Sequence, residues 1–353
     1  MAITPLNTYQ AKNANWRELL RKNQQKTRLI IFSYILIYVL LGLLVDLFLY
    51  GNQYPQVPFS TLFHALITFK IVPYATIIAC IVAIISLLIT YSLYDKLMLL
   101  GTEYREINST SAESLEEKQF YNIIEELRIA AGLRYMPKVF IIEADYMNAF
   151  ASGYSEKSAM VAITRGLLVK LTRSELQAVM AHEISHIRHL DIKVTLMAAV
   201  LSNLMLILLD ILFYSMIFGR NRRDREGGGG NGLFMIILLL RYLLPLITFL
   251  LMLYLSRTRE YMADAGCVEL TRDNTPLAQA LLKIQEDHEN NQERYAQEYQ
   301  STPHEAVRRE AYIFDPTTAG ISPRSSLSDI FSTHPSISKR LEALGFKNSN
   351  SSQ

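Results

Sequence analysis

Four long apolar stretches constrain this chain more than any other feature. Between Arg28 and Gly51 it reads LIIFSYILIYVLLGLLVDLFLY, with Asp46 as the only charge, and no charge occurs between Lys70 and Asp95. Val194 to Gly219 is interrupted only by Asp210, and Leu233 to Leu255 only by Arg241, with Pro245 in mid-run. A helix rises about 1.5 Å per residue, so about 20 apolar residues cross the hydrocarbon of a bilayer, and each run is long enough. A buried core helix can reach this length, but a soluble core has little use for four. Composition agrees: half of the 353 residues are hydrophobic and only 19% are charged, where a soluble domain carries about a quarter. The chain therefore reads as a membrane protein. Pro245 predicts a kink, and Asp46, Asp210 and Arg241 are predicted to pair or point inward, because lipid exposure would be costly.

The same numbers exclude other classes. Disorder, a collagen-like repeat and a disulfide-rich secreted fold are incompatible with this hydrophobicity and with only two cysteines. A formal net charge of +2 is too balanced for a dedicated nucleic-acid binder. Cys80 and Cys267 stand far apart in unlike contexts and read as buried bystanders. The first apolar run begins after a polar stretch and exceeds the h-region of a signal peptide, so a cleaved leader is not expected.

Charge sets the orientation. Lys12, Arg17, Arg21, Lys22, Lys26 and Arg28 precede or begin the first run, whereas the connector from Gly51 to Lys70 carries Lys70 alone. The excess of basic residues puts the N-terminus in the cytosol, that connector outside, and the segment from Asp95 to Lys193 back in the cytosol. The connector between the third and fourth runs carries Arg220, Arg222, Arg223 and Arg225, which the same rule would keep inside. Either these arginines cross, or the last two runs are re-entrant or lie along other helices; Gly227 to Gly230 reads as a flexible linker. The resulting division is 1–28 cytosolic, 29–94 a membrane hairpin, 95–193 cytosolic, 194–256 a second apolar hairpin with its connector at 219–232, and 257–353 cytosolic.

The first cytosolic part opens with a helical stretch, Ser114 to Ala131, ended by Gly132. Strand-like runs follow at Lys138 to Ile142, Asn148 to Tyr154 and Met160 to Thr164. A helix is predicted to begin near Thr172, which with Glu175 has capping-box spacing. No glycine or proline occurs from Leu167 to Phe218, which predicts that this helix runs on into the third apolar segment. It carries His182, Glu183 and His186 in the order H-E-x-x-H. Residues four apart share one face of a helix, so both imidazoles can reach one Zn2+, while Glu183 lies close enough to take a proton from the attacking water. The pattern needs a third ligand. His189 would crowd the helix, and the longer pattern with a third histidine fails at Ile192, so His189 reads as a surface histidine. Glu260, in SRTREYMADAGC, is the better candidate, with Asp264 one turn later. A glutamate as third ligand leaves a position for water, as catalytic zinc requires. Asp264 would accept the far N–H of a bound imidazole. Spacing alone equally admits Glu260 as a solvated charge flanked by Arg257 and Arg259.

Taken together, two N-terminal apolar segments, the NAFASG block, AHEISHI, a second apolar pair, SRTREYMADAG and a late STHPSISKRLEAL resemble the HtpX family of bacterial membrane-bound zinc metalloproteases, relatives of the CAAX prenyl endoproteases. The resemblance covers most of the chain. It implies an α+β membrane protein, mostly helical, with four hydrophobic segments and a cytosolic gluzincin-like protease domain holding a small β-sheet. It further implies one Zn2+ per chain on His182, His186 and Glu260, with Glu183 as general base. Asn148 aligns with the family's substrate-strand asparagine, so Asn148, Ala149 and Phe150 become an edge strand for an extended substrate; a buried structural strand is the alternative. His334 aligns near the active site and becomes a candidate donor to the reaction's oxyanion, the alternative being a cap on the last helix. HIRHLD departs from the family's usual small and Asn-Gly residues after the second histidine.

The function implied is a zinc endopeptidase of the bacterial inner membrane, acting at its cytosolic face on unfolded or misfolded membrane proteins. Its partners would be those substrates and the bilayer, with no nucleic acid. A CAAX-type prenyl protease shares the ligands but normally has more membrane helices. A non-catalytic scaffold or transporter would bind no stoichiometric zinc. If His182 and Glu260 share a metal, the chain between them crosses the membrane an even number of times. Glu260, just beyond Leu255, then lies roughly one to two helical turns past the apolar run. The rest of the second cytosolic part reads as a helix from Pro276 to about Asn290, a charged segment at Glu305 to Glu310, a loop from Tyr312 to Pro335, a short closing helix in SISKRLEAL and a disordered tail.

Overall fold

The computed structural model describes residues 9–11, 15–99, 103–218, 230–301, 311–316 and 334–348. In chain order its elements are β1 (Tyr9–Ala11), α1 (Trp16–Gln53), α2 (Phe59–Ile67), α3 (Tyr74–Leu99), β2 (Tyr104–Ile107), α4 (Leu115–Ala131), β3 (Lys138–Ile142), β4 (Ala149–Ser152), β5 (Met160–Thr164), α5 (Arg165–Lys170) and α6 (Arg173–His189). Then come α7 (Asp191–Phe218), α8 (Gly230–Thr271), α9 (Thr275–Asn290), α10 (Gln292–Ser301), α11 (Ile337–Ala343) and β6 (Phe346–Asn348). The chain is a mostly helical α+β membrane protein. Two compact units divide it: residues 28–90 with 194–254, and residues 1–27, 91–193 and 255–353.

The first unit is built from the apolar parts of α1, α3, α7 and α8, four helices long and apolar enough to cross a membrane. Apolar side chains such as Leu29, Phe32, Ile78, Leu88, Ile211 and Leu239 face outward, as lipid requires. The charges among them are answered internally. Asp46 is buried, and its carboxylate accepts the backbone N–H groups of Ala75 (2.8 Å) and Thr76 (2.9 Å) and the Thr76 hydroxyl (2.7 Å), satisfying the first turn of α3 from a neighbouring helix. Asp210 pairs with Arg241. Gly42 is required where α1 meets α3, since a Cβ there would lie 2.9 Å from Thr76 Oγ1. Pro245 sits within α8 without ending it. The connector holds α2, which buries Leu62 and Leu66 and turns Phe59, Phe63 and Ile67 outward, a helix that no feature of the sequence predicts.

The second unit carries a four-stranded sheet in the order β2-β3-β5-β4, with β3 and β5 parallel and the other pairs antiparallel. β3 and β5 are apolar on both faces, as strands covered on both sides must be. The helix α4 is capped by Ser114, whose side chain accepts the Glu117 N–H, and stopped by Gly132 in the left-handed conformation. α4 and α9 flank α6, and their facing residues (Phe120, Ile123, Leu127, Val179, Leu281 and Ile284) are buried in one core with the sheet. Burying each such side chain contributes about 1.5–3 kcal/mol. A two-stranded antiparallel sheet joins β1 to β6.

The capping box at Thr172 and Glu175 forms as the spacing predicts. The expectation that α6 continues into the third apolar segment is corrected. Leu190 adopts φ 52° and ψ 43°, closing α6 and letting α7 start afresh at Asp191. The arginines at 220, 222, 223 and 225, the charged segment at 305–310, the loop at 317–333 and the tail beyond Asn348 lie outside the described residues.

Candidate metal centre and active site

The helical repeat brings His182 and His186 onto one face of α6, with their Nε2 atoms 3.1 Å apart and their rings nearly perpendicular. Glu260 arrives from α8: Oε2 lies 3.6 Å from His182 Nε2, and Oε1 lies 3.5 Å from His186 Nε2. One ligand atom from each residue lies within 4.8 Å of the others, an arrangement that could hold a metal ion. The approach of α8 to α6 depends on Gly266, where any Cβ would fall 2.0 Å from Ser185 Oγ.

Each imidazole is backed by a carboxylate. His182 Nδ1 lies 3.0 Å from Asp264 Oδ1, and His186 Nδ1 lies 2.7 Å from Asp191 Oδ2. A carboxylate accepts only, so each Nδ1 is assigned the proton and each Nε2 is left with its lone pair. Two lone pairs and a carboxylate then converge in a buried space, which repels itself unless a cation lies between them. Among the described residues, both oxygens of Glu183 and Oε2 of Glu260 are buried with no hydrogen-bond partner of ordinary geometry. Carboxylate oxygens without a well-formed hydrogen bond beside two imidazole nitrogens fit a divalent ion that takes nitrogen and oxygen ligands.

The proton affinity of each group at the site is shifted by burial and by the neighbouring charges. Burial and Arg340 lower the affinity of His182 for a proton, but the neighbouring Asp264 and Glu260 carboxylates outweigh them and raise it to about 9. Burial and the neighbouring His182 charge hold His186 well below the ordinary range. Burial pushes Glu183 up to about 7, against the opposing pull of His182.

Arg340, on α11, is almost fully buried. Its Nε and one terminal nitrogen donate to Asp264 at 3.0 and 2.6 Å, and the other terminal nitrogen donates to the Ile313 carbonyl at 3.0 Å and lies 3.4 Å from Glu260 Oε2. His334 is buried, with Nε2 3.8 Å from Glu260 Oε1. His189 is half-buried rather than on the surface. Its Nδ1 lies 2.9 Å from the Ser185 carbonyl, outside the ligand group. Sequence reasoning missed Asp191 and Arg340. Asp191 would face away on an unbroken helix, and no spacing rule marks an arginine in SISKRLEAL.

β4 is the edge strand of its sheet, and its four residues are buried. The Asn148 amide donates to the Phe314 carbonyl at 2.9 Å and to the Tyr299 hydroxyl at 3.2 Å, and its oxygen accepts from Phe314 N–H. The Ala149 carbonyl accepts the Ile313 N–H at 2.9 Å, and Phe150 bridges Tyr312. The chain's own segment thus lies along the outer edge at Asn148 and Ala149. Because the Asn148 carbonyl accepts Thr164 N–H across the ladder, the two-residue period turns the N–H and C=O of Ala151 outward.

Residues 114–346 match the family model described as Peptidase family M48. A Protease HtpX homolog of Helicobacter pylori (strain Shi470) is 38% identical over 330 residues, covering 94% of this chain and 98% of the relative. Another, from Limosilactobacillus fermentum, is 33% identical, with 92% and 97% covered, and one from Dictyoglomus thermophilum is 34% identical, with 93% of each covered. Among solved structures, S. mikatae Ste24p aligns with a TM-score of 0.46 at 18% identity, over 93% of this chain and 66% of that one. With the family model spanning the whole H-E-x-x-H unit and relatives matched almost end to end, the chain belongs to peptidase family M48, as a membrane metalloprotease of the HtpX type.

Proposed function

We propose that the chain is a zinc-dependent endopeptidase that hydrolyses misfolded or damaged membrane proteins at the cytosolic face of a bacterial inner membrane, as part of protein quality control. The observation that carries this reading is the convergence of His182 Nε2, His186 Nε2 and the Glu260 carboxylate on one point, each imidazole backed by a carboxylate. His182, His186 and Glu260 would hold one Zn2+ per chain. Such an ion polarises a scissile carbonyl and makes hydroxide available at neutral pH. The rest is the work of the chain. Glu183, buried beside His182, takes the proton of the attacking water and delivers it to the leaving amine. Asp264 holds His182 in the Nδ1–H tautomer. His334, near Glu260, would donate to the oxyanion that forms as water adds. The β4 strand that begins beyond Asn148 would receive an extended substrate by main-chain pairing. Ala149 and Phe150 border the chain's own segment, and the edge continues through Ala151, whose backbone N–H faces the Glu183 carboxylate. The apolar helices would anchor this unit to the bilayer from which its substrates come.

The test is purification in detergent with and without chelator, followed by casein cleavage by wild type and Glu183→Gln. Chelation is expected to abolish cleavage and added zinc to restore it. Glu183→Gln is expected to keep stoichiometric zinc and lose about 10²- to 10⁴-fold in turnover. Activity that survives both treatments overturns the reading. Preference for a farnesylated peptide over an unfolded membrane protein would move the substrate class to the CAAX type.

A further inference from the structure

The break between α6 and α7 is unusual. No glycine or proline occurs there, and the residue in the left-handed region is a leucine, for which that conformation is unfavourable. Strain of this kind persists where the surroundings over-determine it. On an unbroken helix Asp191 would lie about 140° around the axis from His186, five residues on, and its carboxylate would point away from the metal face. The turn at Leu190, whose N–H caps the helix by donating to the Ile187 and His186 carbonyls, swings Asp191 back until Oδ2 stands 2.7 Å from His186 Nδ1. The other oxygen, Oδ1, pairs with the buried guanidinium of Arg259. The same guanidinium donates to the His189 carbonyl at 3.0 Å, in the last turn of α6. Arg259 immediately precedes Glu260 on α8. One arginine therefore fastens both the break and its carboxylate to the helix that brings the third ligand.

We infer that Asp191 and Arg259 are positioning residues for His186, and that the left-handed turn at Leu190 exists to deliver Asp191 to its Nδ1. The inference rests on the zinc reading and deepens it. His182 is oriented by Asp264 from α8, and His186 is oriented by the start of the next helix, so both imidazoles present Nε2 to one point. Asp191 touches neither substrate nor metal. It acts through the ring it holds, by fixing the tautomer and raising the basicity of Nε2.

The test is metal binding by the full chain in detergent. The dissociation constant for zinc is measured by competition with a chromogenic chelator for wild type and Asp191→Asn, with the thermal midpoint of each metal-free protein alongside. Asparagine keeps the shape and removes the charge. The zinc dissociation constant is expected to rise about 10- to 100-fold, with the metal-free midpoint close to that of wild type. Equal zinc affinity in the two proteins overturns the inference. A wild type that binds no zinc overturns the reading beneath it instead. If Asp191→Asn does not fold, cobalt-substituted wild type decides. Two hyperfine-shifted imidazole N–H signals, both slow to exchange with solvent, are expected from His182 and His186. A single protected signal would leave His186 without its carboxylate and end the proposal.

Discussion

His334 and Glu117 show how differently two buried charged neighbourhoods behave. His334 lies 3.8 Å from Glu260 Oε1, close enough to serve the reaction but beyond hydrogen-bond range of that oxygen. If it donates to the oxyanion, His334→Ala should lower turnover by about 10²- to 10³-fold with zinc content unchanged. Loss of zinc with loss of rate would instead make it a support for Glu260. Glu117 accepts the Glu113 N–H at 2.9 Å and pairs with Arg165 at 3.0 Å and with Arg105. Burial alone would raise its carboxyl, but these partners hold it at about 2, below its ordinary 4.5. A depressed carboxyl contributes stability that is complete above the unfolded value and fades as pH falls toward the folded one. Glu117→Gln should therefore cost about 2 kcal/mol at pH 7, since both arginines are partly solvated. That deficit should shrink from about pH 4.5 downward and vanish near pH 2 in thermal melts followed by circular dichroism. A deficit that stays constant with pH would make it a packing effect.

Among the elements, close contact between α6 and α8 decides whether three ligands meet. Gly266 sets that distance, because a methyl group would strike Ser185 Oγ at 2.0 Å and Cβ at 2.9 Å. Gly266→Ala is expected to destabilise the chain by about 1–3 kcal/mol and to weaken zinc binding, as Glu260 is carried outward with the helix. Ser185→Ala added to it removes the closer obstacle and should recover part of both losses, measured by melting and by chelator competition. Unchanged zinc affinity in Gly266→Ala would show that Glu260 adjusts independently of the helix axis. Elements with a local signature were legible before any fold was known. The Thr172 and Glu175 box starts α6, Gly132 stops α4, and the apolar runs of β3 and β5 begin and end where their residues change character. The short α2 and β2 carry no such signature and take their form from what they pack against or pair with. The break at Leu190 was hidden for a related reason. A leucine normally favours helix, and only contacts with residues some seventy positions later, at Arg259, hold it otherwise. Arg340 and Asp264 meet across a similar separation. The histidine pair was legible because four residues on a helix is a distance the sequence itself encodes.

For the whole molecule, the grouping of His182 and His186 with Glu260 restricts how the chain can thread a bilayer. All three must lie in one compartment, so the residues from α7 to α8 cross it twice or not at all. Both helices are long and apolar enough to cross, and α7 shows lipid-like residues such as Ile207, Ile211 and Tyr214 on its surface, which favours two crossings. The side on which the site lies then follows from charge. Basic residues crowd the start of α1, and the connector carrying α2 is poor in them. This predicts that Lys70 and the metal-binding group lie on opposite sides. Single cysteines at Lys70 and at the exposed Ile129 of α4, compared with the parental chain in spheroplasts, would test it with a membrane-impermeant maleimide. Labelling of Lys70→Cys in intact spheroplasts, and of Ile129→Cys only after lysis, is the expected pattern. The reverse pattern would put the hydrolytic site outside the cytosol. The charge argument would then fail, although the two crossings and the metal group would stand, because a shared ligand set fixes the parity of the crossings and only the flanking lysines and arginines fix their direction.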